Sequence, residues 1–96
     1  MENYIYRKIN APNSVRLKGS GNKIKSLIIT NTTSSEIKIS IYLTRSSEQY
    51  YISKSLRIIP NESLNVFQNG YSFDPNYIFN VTLESGSADI LLILDQ

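Results

Sequence analysis

The nine residues Glu36 to Thr44, EIKISIYLT, alternate without a break. Ile37, Ile39, Ile41 and Leu43 fall on one side, and Glu36, Lys38, Ser40, Tyr42 and Thr44 on the other. Side chains along a strand point to opposite faces with a period of two, so this is a β-strand with one oily face and one wet face. Similar segments recur along the chain, separated by clusters of Gly, Pro, Asn, Asp and Ser that turn the backbone for definite reasons. Gly supplies positive φ, Pro fixes φ, and the short polar side chains hydrogen-bond their own main chain.

These turn clusters delimit the strands. Asn10-Ala11-Pro12-Asn13 ends a first segment, Tyr4–Ile9, and Gly19-Ser20-Gly21-Asn22 ends Val15–Lys18. Asn31–Ser35 follows Ile24–Thr30, Arg45–Gln49 follows Glu36–Thr44, and Pro60-Asn61-Glu62 follows Tyr50–Ile59. Asn69-Gly70 follows Leu64–Phe67, Asp74-Pro75-Asn76 precedes Tyr77–Glu84, and Ser85-Gly86-Ser87 separates that strand from Ile90–Leu94. Short strands at this spacing indicate a sandwich or barrel, not βαβ units. The expected fold is all-β: an antiparallel β-sandwich, jelly-roll-like, of about seven or eight strands in one domain over residues 1–96. Two hairpins are expected: Ile24–Thr30 with Glu36–Thr44, and Tyr77–Glu84 with Ile90–Leu94. Tyr4–Ile9 and Leu64–Phe67, short and flanked by turns, are the candidate edge strands, and residues 1–10 read as an N-terminal arm or edge strand.

Ile90-Leu91-Leu92-Ile93-Leu94 breaks the alternation and is apolar on both faces. Either the strand is buried on both sides, or its second face is covered by another subunit.

The chain has no cysteine and no histidine. No disulfide can staple it, and the commonest general acid–base, metal ligand and pH switch are missing together. A nucleophilic triad therefore lacks its base, and zinc lacks its usual ligands. Ser53-Lys54-Ser55 is the remaining Ser–Lys arrangement, and its plainer reading is a polar strand face. The acids Glu36, Glu48, Glu62, Asp74, Glu84, Asp89 and Asp95 sit at turns or strand ends as solvated carboxylates, with no D-x-D-x-D-G calcium loop among them. Gly19-Ser20-Gly21-Asn22-Lys23 lacks the spacing of a phosphate loop. No catalytic, cofactor-binding or metal-ligating residue is assigned, and an enzyme is the least supported reading. Three N-x-[ST] sequons, at Asn31, Asn61 and Asn80, carry no weight in a chain this rich in Asn, Ser and Thr. No apolar run is long enough to span a membrane, and the first ten residues have no signal-peptide h-region.

Seven tyrosines are the conspicuous functional type, and the net charge is only +2. Tyr42 on the wet face, and one of Tyr50 and Tyr51, should be partly exposed. Exposed tyrosines near Arg45, Lys54 and Arg57 can stack bases or sugars, but tyrosine is also favoured in strands and at interfaces. Nucleic acid is disfavoured because no face is strongly basic.

The order of segments resembles small β-sandwich virion proteins of tailed bacteriophages. The residues that carry the likeness begin with Lys23–Thr33, whose strand ends in an "I-x-N-T" pattern, and continue with the EIKISIYL strand. Tyr51–Leu64 with its Ile-Pro turn follows, and then, matched only loosely, Gly70–Thr82. In that last part Asp74-Pro75-Asn76 stands where the family tends to have a Gly-Asp turn. The resemblance covers Ile24 to Leu94 and implies a non-enzymatic structural protein located in the virion. Its partners would be other virion proteins, such as the major capsid protein or neck and tail proteins, and further copies of itself. Capsid decoration or cement is the role that best suits a single domain. The alternative is a tail, neck or fibre-associated module that binds a receptor or carbohydrate. The candidate interface residues are Tyr4, Ile5, Tyr6, Tyr42, Tyr51, Leu91 and Ile93.

Overall fold

The alternating segments pair antiparallel into two sheets in the computed structural model, which describes residues 2–18, 23–67 and 69–95. Among these residues there are nine strands and no helix: β1 (Glu2–Asn10), β2 (Ser14–Lys18), β3 (Lys23–Asn31), β4 (Ile37–Arg45), β5 (Glu48–Ile58), β6 (Ser63–Asn65), β7 (Tyr71–Ser72), β8 (Ile78–Leu83) and β9 (Ser87–Asp95). The expected Gly19–Asn22 turn lies outside the described residues. The first sheet has the order β1-β9-β3-β6, with β7 also paired to β3, and the second has the order β2-β8-β4-β5. If β6 and β7 count as one interrupted edge strand, the first of eight strands pairs with the last and the second with the next to last. The third pairs with the sixth, and the fourth with the fifth. That nesting is the jelly roll, two Greek keys wrapped into a sandwich.

Nine strands, not seven or eight, arise because the edge beside β3 is broken. Residues 28–30 of β3 pair with β6, and residues 23–24 pair with β7. Between these pairings β3 carries a bulge at Lys25, which puts Ile24 and Leu27, three apart in sequence, on the same inner face. The intervening loop sends Phe67 inward. It stacks on Tyr71 at 4.8 Å, and with Phe73 both surround Phe79 at the end of the core.

The two expected hairpins do not form. β3 pairs with β9, β6 and β7, and β4 pairs with β5 and β8, so Asn31–Ser35 carries the chain from one sheet to the other. Ser85-Gly86-Ser87 does the same between β8 and β9. Turn residues and period-two patterning identify a reversal and a buried face, but they do not say which strand lies alongside. The hairpin that does form is β4–β5, where Arg45 faces Glu48 across Ser46-Ser47. Ser46 there takes φ 55°, a conformation usually left to Gly, Asn or Asp.

The inner faces meet in one core. Ile24, Leu27, Ile29, Ala88, Ile90, Leu92 and Leu94 of the first sheet pack on Val15, Ile37, Ile39, Ile41, Phe79, Val81 and Leu83 of the second. β4 buries Ile37, Ile39 and Ile41 completely. One residue of its wet face departs from expectation, since Ser40 is buried. Opposite Ser40, β5 holds an extra residue, and Ser55 in that bulge has φ 53°. The Ser55 N–H donates to Ser40 Oγ at 3.0 Å, so the buried hydroxyl meets a backbone donor of the bulge.

Asn31 at the end of β3 is fully buried. Its Nδ2 donates to the carbonyls of Ser35 at 2.8 Å and Ile58 at 2.9 Å, and its Oδ1 accepts from Thr33 N–H at 2.8 Å and Thr33 Oγ1 at 2.7 Å. Asn31→Ala removes these partners, among them the donor to the buried Ile58 carbonyl, and a buried group left unmade costs roughly 1–3 kcal/mol. The expected outcome is a loss of about 2–4 kcal/mol in denaturant unfolding. An unchanged midpoint would show that water replaces the amide.

Gly86, in the second crossover, has φ +77°, and an added Cβ would lie 2.6 Å from Ile37 Cγ2. Gly86→Ala combines left-handed strain with a clash against a packed core side chain, so a loss of about 2–4 kcal/mol is expected. Thermal unfolding measures it directly.

Candidate functional site

Residues directly opposite in an antiparallel ladder share a face, so the register reveals what each sheet turns outward. On the first sheet Tyr4 faces Ile93, Tyr6 faces Leu91 and Lys8 faces Asp89. On the far side of β9 the same residues face Ser26, Ile28 and Thr30 of β3. Tyr4 and Tyr6 are 55% and 61% exposed, with ring centroids 6.3 Å apart, and Ile28, Leu91 and Ile93 are half-buried beside them. The Lys8–Asp89 ion pair at 3.1 Å bounds one end of this apolar band. A shallow groove of about 290 Å³ lies there, between Tyr6, Lys8, Asp89 and Leu91.

The strand that fails to alternate is thereby explained in part. Ile90, Leu92 and Leu94 enter the core, while Leu91 and Ile93 face outward, so β9 is not buried on both sides within this chain. Four of the seven interface candidates, Tyr4, Tyr6, Leu91 and Ile93, come together on this face. Ile5 does not join them: it lies on the other side of β1, opposite Leu92, and packs against the core. Of the two readings for residues 1–10, arm or edge strand, the second holds: β1 pairs with β9 from Glu2 to Asn10 at the edge of its sheet.

Tyr42 and Tyr51 lie on the opposite surface of the sandwich, the outer face of the second sheet. They sit side by side across β4 and β5 with ring centroids 5.4 Å apart, and the Lys54 ammonium rests 5.2 Å from the Tyr51 ring. Tyr42 Oη hydrogen-bonds Thr82 Oγ1 at 2.8 Å, and Thr82 in turn meets Ser14 Oγ at 2.7 Å. Tyr50 is exposed as well as Tyr51. It points toward Tyr77, and its phenol is held above its usual pKa because it donates to Glu48 Oε2 at 2.7 Å.

One row along this face runs Arg16, Asn80, Tyr42, Tyr51. Asn80, placed by the alternation on a wet face, is only 2% exposed. Its Nδ2 donates to the carbonyl of Ile78 at 2.9 Å, to Thr44 Oγ1 at 3.1 Å and, more weakly, to the carbonyl of Tyr42 at 3.4 Å. It forms part of the floor of a concavity of about 600 Å³ between β2, β4 and the β4–β5 hairpin. Sequence reasoning missed this residue as a site element. An Asn in an otherwise Val- and Phe-bearing central strand was the available signal.

Ser53-Lys54-Ser55 forms no Ser–Lys pair: Lys54 is engaged with Tyr51, and Ser55 Oγ donates to Glu84 at 3.4 Å. The carboxylates are dispersed, with Glu36 near Arg57 at 3.7 Å and Asp74 accepting the Asn76 N–H at 2.8 Å. Among the described residues no three acidic side chains gather.

Adjacent leucines separate the two faces of β9 energetically. Leu92→Ala empties a fully buried site and is expected to cost about 2–5 kcal/mol, whereas Leu91→Ala on the outer face costs about 1 kcal/mol or less. Equal losses in chemical denaturation would mean that the outer face is as firmly packed as the core.

Compared with family models, with characterised proteins and with solved structures, the chain matches none.

Proposed function

We propose that the protein is a non-enzymatic structural component of a tailed-phage virion that acts through protein–protein contacts, and that it decorates or cements the capsid. The observation that carries this reading is the outer face of the first sheet, where Tyr4, Tyr6, Ile28, Leu91 and Ile93 form an apolar band left uncovered by the chain's described residues. Aromatic side chains with a polar tip on a rigid strand are well suited to an interface, because they bury much area at small entropic cost. β1 runs alongside the band as the last strand of its sheet, the position at which a partner's strand can be added. The order of strand and turn segments, which resembles small phage virion sandwiches, supports the same reading. So does the jelly-roll connectivity, an architecture used in capsid and lectin domains, although that support is by analogy of fold.

Light scattering of the purified chain, with co-sedimentation on capsids and tails of the phage that encodes it, tests the proposal. The expected result is a defined oligomer or saturable binding to capsids. Tyr6→Glu and Leu91→Glu should weaken it at least about tenfold, equivalent to roughly 1.4 kcal/mol, without lowering the unfolding midpoint. A strict monomer with no affinity for capsids or tails overturns the proposal, and binding to tails alone overturns the capsid assignment.

A further inference from the structure

The second sheet's outer face differs from the first in kind, and nothing in the contact role uses it. Its concavity of about 600 Å³ is lined by two guanidinium groups, Arg16 and Arg45, by the side-chain amides of Gln49, Asn76 and Asn80, and by the phenol of Tyr42. Among the described residues no carboxylate lines it. From this lining we propose that the concavity is a binding site for an acidic saccharide, a sugar bearing a carboxylate or sulfate group. The site lies on the opposite side of the sandwich from the contact face and does not rest on the virion assignment.

Three features carry the inference. The first is charge: two arginines facing a space without an acid favour an anionic group, and guanidinium geometry matches a carboxylate or sulfate with two parallel hydrogen bonds. The second is the amide set. Gln49 and Asn76 each carry both donors and an acceptor, which is what a row of hydroxyls on a sugar needs and what a bare anion does not use, while Asn80, its N–H donors engaged by Ile78 and Thr44, serves as floor. The third is rigidity. Asn80 is almost completely buried and held by Ile78 and Thr44, while Tyr42 is fixed by its hydrogen bond to Thr82 and its contact with Tyr51. A floor already ordered on central strands spares a ligand the cost of ordering it. The volume lies within the range of small-molecule sites.

Arg45 reaches the site from the end of β4, where its guanidinium stands 5.8 Å from the Tyr77 ring. That contact leaves the hydrogen-bond donors at the edge of the guanidinium plane available to a ligand. Arg16, on the edge strand β2 and exposed, approaches from the opposite rim. A sugar lying between them would cross the row from Asn80 to Tyr42.

The test is a titration of the intact protein followed by backbone amide NMR. The probes are uronic-acid, sialylated and sulfated oligosaccharides, their neutral counterparts, inorganic phosphate and a single-stranded oligonucleotide. At least one acidic oligosaccharide is expected to bind, with shifts centred on Arg16, Tyr42, Asn76 and Asn80. The affinity should exceed that of its neutral counterpart at least about tenfold and should fall with added salt. Arg16→Gln and Arg45→Gln, both at exposed positions, should each weaken binding about tenfold with an unchanged unfolding midpoint. Failure of every acidic saccharide to bind at millimolar concentration overturns the proposal, as does equal binding of neutral sugars. Equal binding of phosphate overturns the saccharide assignment, tighter binding of the oligonucleotide overturns it in favour of nucleic acid, and shifts confined to β1 and β9 overturn the location.

Discussion

The buried amide of Asn31 is the interaction on which the wrapping of this sandwich most depends. In a jelly roll nearly every connection passes from one sheet to the other, so the crossovers bring backbone polar groups against the edge of an apolar core. Asn31 stands where the central strand β3 leaves the first sheet, and its side chain satisfies the crossover and the carbonyl of Ile58 at the end of β5 together. Its own backbone binds the next connection: the Asn31 N–H donates to the carbonyl of Glu62, and its carbonyl accepts from Asn61 N–H. One residue thus fixes where β3 ends, where β4 begins and how the loop before β6 returns to the first sheet. An aliphatic residue could fill the same volume and keep the backbone bonds, but it would leave the buried Ile58 carbonyl without the amide that meets it.

Much of the fold was legible because burial follows the period-two pattern. The inner residues of β4 were readable one by one, as was the placing of β1 and β6 at sheet edges. The pairing partners were not legible. Asn31–Ser35 and Ser85–Ser87 have the composition of hairpin turns, yet both cross between sheets. The decision lies in side-chain bonds such as those of Asn31 and in Gly86 fitting against Ile37, which a local pattern does not encode. The bulges were hidden for a related reason. Ser40 and Ser55 look like ordinary polar strand residues until one hydroxyl is seen capping the other's N–H.

The candidate site was legible in its residues and not in its grouping. Tyr4, Tyr6, Leu91 and Ile93 come together because β1 and β9, the first and last strands in sequence, are neighbours in the jelly roll. The same nesting separates Tyr42 and Tyr51 from them by the full thickness of the sandwich. Ile5 was carried along by its position between two exposed tyrosines, but alternation assigns it to the core side, and the register with Leu92 agrees. Asn80 was hidden by the opposite effect. An outward-facing residue on a central strand becomes buried when large neighbours such as Tyr42 and Arg16 flank it.

The separation of the two outer faces has a consequence for how the molecule can work. The proposed contact face around Tyr6 and Leu91 and the proposed ligand site near Arg16 share no side chain, and the packed core lies between them. Changes at sites this far apart usually add without coupling, so binding at one face should leave affinity at the other nearly unaltered. Coupling would require a two-state element linking the faces. The obvious conduits, β8 and β9 through the Gly86 crossover and β3 and β4 through Asn31, are held by contacts that have one arrangement here. A rigid sandwich of this kind would present its second face in a fixed orientation once its first face is anchored. That geometry favours simultaneous contact with a large partner on one side and a ligand on the other, and it gives no means for either to switch the other.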